Sequence, residues 1–117
     1  MKIDILTIFP EMVQPYLDGS ILGRARKQGV KLNAVQLRDF AKGKHSQVDD
    51  TPYGGGAGMV MQVEPIDLAL KKLKSVFRKK KTRVIMPSAA GKKFMQRDAQ
   101  RLAKDYDHII FVCGRYE

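Results

Sequence analysis

The chain has a single cysteine among its 117 residues. Cys113 therefore excludes an intramolecular disulfide and any cysteine-rich metal site. Long apolar runs are also missing. None approaches the roughly 18–20 residues that a bilayer-spanning helix needs, so no membrane partner is expected. Residues Met1 to Phe9 carry Lys2 but also Asp4, with no small-residue cleavage site. They read as a strand rather than a signal peptide, and a cytoplasmic location is the default. Aromatic residues are few (Tyr 4, Phe 5) and do not interleave with the basic ones. That argues against the base stacking used by single-strand-binding barrels. Acidic residues are scarce too: 12 against 22 Lys and Arg, a formal net charge of +10. Such a balance points to a polyanionic partner, with affinity but no sequence selectivity from the charge itself.

What is present is a chain that can fold. The hydrophobic share is 44%, enough for a modest core in one domain or part of one. Lys2 to Phe9 is partly alternating and rich in β-branched residues, which predicts a first strand. Pro10 then suits the first turn of a helix over Glu11 to Leu17. A second helix is expected over Ser20 to Gln28, stopped by Gly29, and a second strand over Lys31 to Arg38. Asp39 to Met61 reads as a long polar, glycine-rich loop without secondary structure of its own. A helix follows from Pro65 to about Phe77, with Ile66, Ala69, Leu70, Leu73, Val76 and Phe77 as its apolar stripe. Thr82 to Pro87 is a third strand. Lys92 to about Lys104 is a helix with Met95, Ala99, Leu102 and Ala103 inward. His108 to Cys113 is a fourth strand, whose unbroken apolar run predicts burial on both faces. Strands alternating with helices predict an α/β fold with a parallel sheet and flanking helices. Ligands of such sheets bind beyond the carboxyl ends of the strands, here Pro87 to Gly91 and Gly114 to Glu117.

Several segments have the composition of a site. Tyr53-Gly54-Gly55-Gly56-Ala57-Gly58-Met59 permits positive φ and close approach of backbone to a ligand. It lacks the Gly-Lys-Ser/Thr of a phosphate-binding loop and does not join a strand directly to a helix. It also fits a flexible surface loop. Asp49 and Asp50 are adjacent carboxylates, suited to proton transfer or Mg²⁺, though such a pair is more often simply polar residues of a solvated loop. His45 carries little weight alone. Ser88-Ala89-Ala90-Gly91 reads as the opening of a helix, where free N–H groups favour anions or Ser88 acts as a plain cap. In Gly114-Arg115-Tyr116-Glu117 the arginine suits a carboxylate or phosphate and the glutamate a cation or amine.

The order of these segments says more than any one of them. Ile8-Phe9-Pro10-Glu11-Met12 is followed by Gly23-Arg24-Ala25 and Arg38-Asp39-Phe40. Then come Val48-Asp49-Asp50-Thr51-Pro52 running into the glycine cluster, and Val112-Cys113-Gly114-Arg115-Tyr116-Glu117. Together they resemble the bacterial tRNA (guanine-37-N1)-methyltransferases, over essentially the whole chain. The resemblance implies methyl transfer from S-adenosyl-L-methionine to N1 of the guanosine 3′ of the anticodon in tRNA. It also implies a knotted SPOUT-class domain, a homodimer with the active site at its interface, and dependence on Mg²⁺. Met86, Pro87, Ser88, Ala89 and Gly91 match the family's first cofactor loop. Gly114, Arg115, Tyr116 and Glu117 match the second, and Glu117 is also implied near the Mg²⁺. Tyr53, Gly54, Gly55, Gly56 and Gly58 match a lid near the target guanosine. Arg24, His45 and Asp50 match polar positions facing the substrate, with Arg24 and Asp50 as substrate-side catalytic candidates.

One departure lies in the first cofactor loop, where the family usually has proline after the serine. Ala89 stands there, and a proline occurs earlier, at Pro87. By the same resemblance, residues 1–117 are the N-terminal part of the methyltransferase domain. The third cofactor loop, the knot-forming segment, the linker with the expected catalytic aspartate and the C-terminal tRNA-binding domain are then expected beyond residue 117. The chain alone is accordingly expected to be inactive. Two further readings stand beside this one: a short basic RNA-binding protein without catalysis, and a SPOUT methyltransferase with another target base.

Overall fold

The computed structural model describes residues 1–76 and 80–116. The expected positions Phe77 and Glu117 lie outside the described residues.

Four strands form one parallel sheet: β1 (Lys2–Thr7), β2 (Lys31–Gln36), β5 (Thr82–Ile85) and β6 (His108–Cys113), in the order β2-β1-β6-β5. The last strand thus lies inside the sheet, between the first and the third. Its apolar run is explained by that position, and His108, Ile109, Ile110 and Val112 are buried. In register, Leu6 of β1 lies beside Val112 of β6. With Ile8, Leu37, Val48 and Ala69 they form the core cluster. Leu32 and Ile109, both in register with Ile3, are buried on the other face.

The Thr7 hydroxyl accepts the Phe9 N–H at 3.2 Å as β1 ends. Pro10 then takes the first helical position of α1 (Pro10–Asp18). Gly19 separates α1 from α2 (Ser20–Lys27). Gly23 is required where α2 crosses the end of α1: a Cβ there would stand 2.4 Å from the Asp18 carbonyl oxygen. That close approach offsets the cost of glycine inside a helix. Helix α3 (Val63–Ser75) buries Pro65 and Ala69, and its expected stripe holds through Leu73, while Val76 lies past its end and is exposed.

Three expectations need correction. The second strand stops at Gln36, and Leu37–Phe40 is a 3-10 turn that buries Leu37. The 39–61 segment has secondary structure after all: β3 (Asp49–Asp50) and β4 (Val60–Met61) pair as an antiparallel ribbon. Two-residue strands leave almost no periodic signal, because a period of two needs several residues to show. The last helix, α4, spans Gln96–Asp105, four residues later than expected at its start. The Met95 N–H donates to the Asp98 carboxylate at 3.0 Å, and this bond is the main reason the carboxyl lies below its usual range. Only Leu102 of the expected inward set is buried, while Met95 and Ala103 are exposed.

Candidate active site

Because all four strands of the main sheet run parallel, the loops leaving β5 and β6 emerge side by side. Between them opens a cleft of about 470 Å³, a size common for small-molecule sites. Met86, Pro87, Ser88 and Ala89 form one rim and Gly114, Arg115 and Tyr116 the other. Met61, Ile66 and Val112 supply apolar wall. Seven of the residues expected at a cofactor are therefore brought together here. Gly91 is not on the cleft surface. It closes the turn instead, donating its N–H to the Ser88 carbonyl at 3.0 Å.

The expectation that Ser88 opens a helix is not met. Residues 88–91 form a turn in which the Ser88 hydroxyl accepts the Ala90 N–H at 3.2 Å, and the helix begins only at Gln96. Serine bonds its own backbone as readily in such turns as at a cap, so the local signal is the same. Among the described residues no helix terminus supplies anion-binding N–H groups at this rim.

Gly114 has a steric reason. A Cβ on it would stand 3.1 Å from the Tyr116 carbonyl oxygen and 3.5 Å from Met61 Cγ. The Arg115 guanidinium stacks on two rings, 5.9 Å from the centre of Phe9 and 5.5 Å from that of Tyr116. Phe9 belongs to a segment singled out in the sequence only for its order, and this stacking places it behind the cleft residue Arg115. Cys113 precedes the loop, and burial pushes its thiol pKa up.

A second hollow, about 640 Å³, lies at the base of the glycine cluster and is lined by Asp50, Tyr53, Gly54, Val60, Met61 and Glu64, among others. Gly54, Gly55, Gly56 and Gly58 all have positive φ, between 79° and 118°. Side chains rarely adopt that conformation, which accounts for the density of glycine. Tyr53 is fully exposed at the tip. The paired-carboxylate reading does not survive: neighbours on a strand point to opposite faces, and Asp49 is half-buried while Asp50 is exposed. Asp50 Oδ1 accepts the Thr51 N–H at 2.8 Å. Arg24 lies exposed on α2 and His45 in an exposed turn, and neither lines either hollow. Among the described residues no group of three His, Cys, Asp or Glu is placed to hold a metal ion, and no helix is long and apolar enough to cross a membrane.

Sequence reasoning missed a buried polar array at the opposite edge of the sheet. Asp4 and His108 are both fully buried. Asp4 Oδ2 meets His108 Nε2 at 2.7 Å and Lys2 Nζ at 2.8 Å, and Asp4 Oδ1 accepts from Asn33 Nδ2 at 2.9 Å. His108 Nδ1 lies 3.3 Å from the Thr82 hydroxyl. All four strands of the main sheet thus take part, β1 with two residues. The signal available in the sequence was a charged residue at Asp4 and a histidine at the head of apolar strands.

A family model described as tRNA (Guanine-1)-methyltransferase TrmD matches residues 1–117. The tRNA (guanine-N(1)-)-methyltransferase of Macrococcus caseolyticus is 49% identical across 100% of this chain, which covers 47% of that protein. That of Moorella thermoacetica is 47% identical with the same coverage. Among solved structures, the tRNA (m1G37) methyltransferase of Aquifex aeolicus superposes with a TM-score of 0.85 at 36% identity, covering all of this chain and 52% of that one. The chain spans about half the length of the relatives it matches. With the whole chain matched and the parallel sheet superposed, this protein belongs to the tRNA (guanine-1)-methyltransferase family.

Proposed function

We propose that this chain supplies the methyl-donor cleft and the glycine lid of a tRNA (guanine-N1)-methyltransferase that uses S-adenosyl-L-methionine. The target is the guanosine 3′ of the anticodon. The observation that carries this reading is the cleft between the β5 and β6 loops, lined by seven residues at positions matching the family's cofactor loops. The cleft suits such a donor. Gly114 leaves room for close approach of a ligand to backbone. Ser88 and Arg115 offer polar groups, and Met61, Ile66 and Val112 offer apolar surface.

S-adenosylmethionine would supply an electrophilic methyl group. The chain's own residues bind and orient. The two loops fix the donor at the sheet edge, and the glycine lid stands beside the adjoining hollow where a base would enter. Guanine N1 carries a proton that must leave as the methyl arrives, so a base is needed at the acceptor. Asp50, on the rim of that hollow, is the carboxylate of this chain nearest in role. Arg24 and His45 lie outside both hollows and would meet the tRNA rather than the reacting atoms. The net charge of +10 suits the phosphate backbone. Among the described residues no group of three His, Cys, Asp or Glu is placed to hold Mg²⁺, and Glu117, which the resemblance puts near that ion, lies outside them. Assembly as a homodimer, a SPOUT knot and a cytoplasmic location belong to the same reading.

Two measurements test it. Calorimetric titration of the chain with S-adenosylhomocysteine should show one site, weakened by G114A. The intact protein containing this sequence should methylate a tRNA transcript bearing guanosine 3′ of the anticodon and not one bearing adenosine there, while residues 1–117 alone should transfer nothing. Transfer to the adenosine transcript would reassign the target base. Transfer by the chain alone would refute the division of roles. The charge also favours a second reading, RNA binding without catalysis. Steep salt dependence of tRNA binding with no response to S-adenosylmethionine would favour it.

A further inference from the structure

Met61 lines both the donor cleft and the hollow at the base of the glycine lid. It is the only side chain that the two share, among the described residues. On the donor side its Cγ lies 3.5 Å from where a Cβ on Gly114 would be. A ligand seated against Gly114 therefore meets the thioether as well. Met61 also packs against the core cluster, so its free space lies in the two hollows.

On the lid side, Met61 ends β4, in register with Asp49. The base of the lid is pinned. The Asp49 carbonyl accepts from Gln47 Nε2 at 2.8 Å and from Gln62 Nε2 at 3.3 Å, and the Gln62 N–H donates to the Val48 carbonyl at 2.8 Å. Beyond this base the lid is loosely held. One turn bond, from the Gly55 N–H to the Pro52 carbonyl at 3.1 Å, is the backbone bond found within it among the described residues. A segment with few internal bonds and glycines at positive φ is easily biased by what touches its base.

Resting on the donor-site reading above, we propose that Met61 is a positioning residue that couples the two hollows. Donor in the cleft holds the thioether against the β4 end of the ribbon, and the glycine lid becomes ordered over the acceptor hollow. Methionine suits this role because three rotatable bonds let one side chain fit two partners. By linkage, an ordered lid must strengthen donor binding by the same factor.

The test is hydrogen exchange of the lid peptide, residues 51–59, in the 117-residue chain with and without saturating S-adenosylhomocysteine. Exchange should slow by at least about fivefold in the parent chain, the low end of usual coupling between sites. M61L, which keeps the bulk, should retain the slowing. M61A removes part of the cleft wall and should bind S-adenosylhomocysteine more weakly; at ligand concentrations that saturate the variant it should lose the slowing. If ligand binds the parent chain and the lid exchanges unchanged, the coupling is overturned while the donor site stands. Slowing that persists in folded M61A overturns Met61 as its carrier. If the parent chain binds no S-adenosylhomocysteine at all, the donor-site reading and the coupling fall together.

Discussion

Replacing Asp4 with alanine should cost the fold about 3 kcal/mol. The carboxylate is fully buried and takes hydrogen bonds from Asn33, Lys2 and His108 on three strands. Removing one partner from a buried charged array costs about 3–5 kcal/mol, because the groups that bonded to it lose that bond in a desolvated site. The Lys2 side chain is 15% exposed and regains water easily, which places the cost at the lower end. His108 has no such exposure, so its Nε2 loses its acceptor in a dry site. For a domain of this size the loss lowers Tm by about 12 °C. Urea unfolding followed by circular dichroism should show a lower midpoint with an unchanged slope. Combining Asp4→Ala with His108→Ala should cost less than the sum of the two, since both remove the same contact. Asp4 is in register with Ile110, four residues before Gly114, so it lies about 13 Å from the cleft's Gly114 at the usual rise per strand residue. Affinity for S-adenosylhomocysteine should therefore be unchanged below the melting range. A cost under about 1 kcal/mol, or simple additivity, would refute the reasoning.

Two further predictions concern the cleft. Gly114→Ala brings a Cβ to 3.1 Å from the Tyr116 carbonyl oxygen, an overpacking cost of about 1–3 kcal/mol. Relief by shifting the 114–116 loop should weaken donor binding at least about fivefold by calorimetry, and unchanged affinity would remove Gly114 from the site. For Cys113, burial raises the thiol pKa. Folding thus favours the protonated thiol, and its contribution to stability is present below the unfolded thiol's pKa and is lost as pH rises through the folded value. Alkylation by iodoacetamide should titrate at higher pH in the folded chain than in urea. Coincident profiles would contradict the burial.

The site was legible in unequal parts. Pro87 to Ala89 and Gly114 to Tyr116 meet at one cleft because parallel strands deliver their loops to one edge, a consequence of the βα alternation already visible in the sequence. Phe9 gave no local sign of touching Arg115, since the two are separated by nearly the whole chain. Ser88 misled because a turn and a helix cap use the same hydroxyl-to-backbone bond.

By itself, the sequence determined the number and kind of the main elements. The proline that opens α1, the glycines of the lid and the apolar run of β6 act through local sterics and burial, which need no partner to be recognised. Only the tertiary structure decided that β6 inserts between β1 and β5, that Asp4 and His108 pair across 104 positions, and that Met61 walls both hollows. Each of these depends on which distant segments meet. Periodicity along a chain records which face of an element is apolar, but it does not record what that face will be packed against.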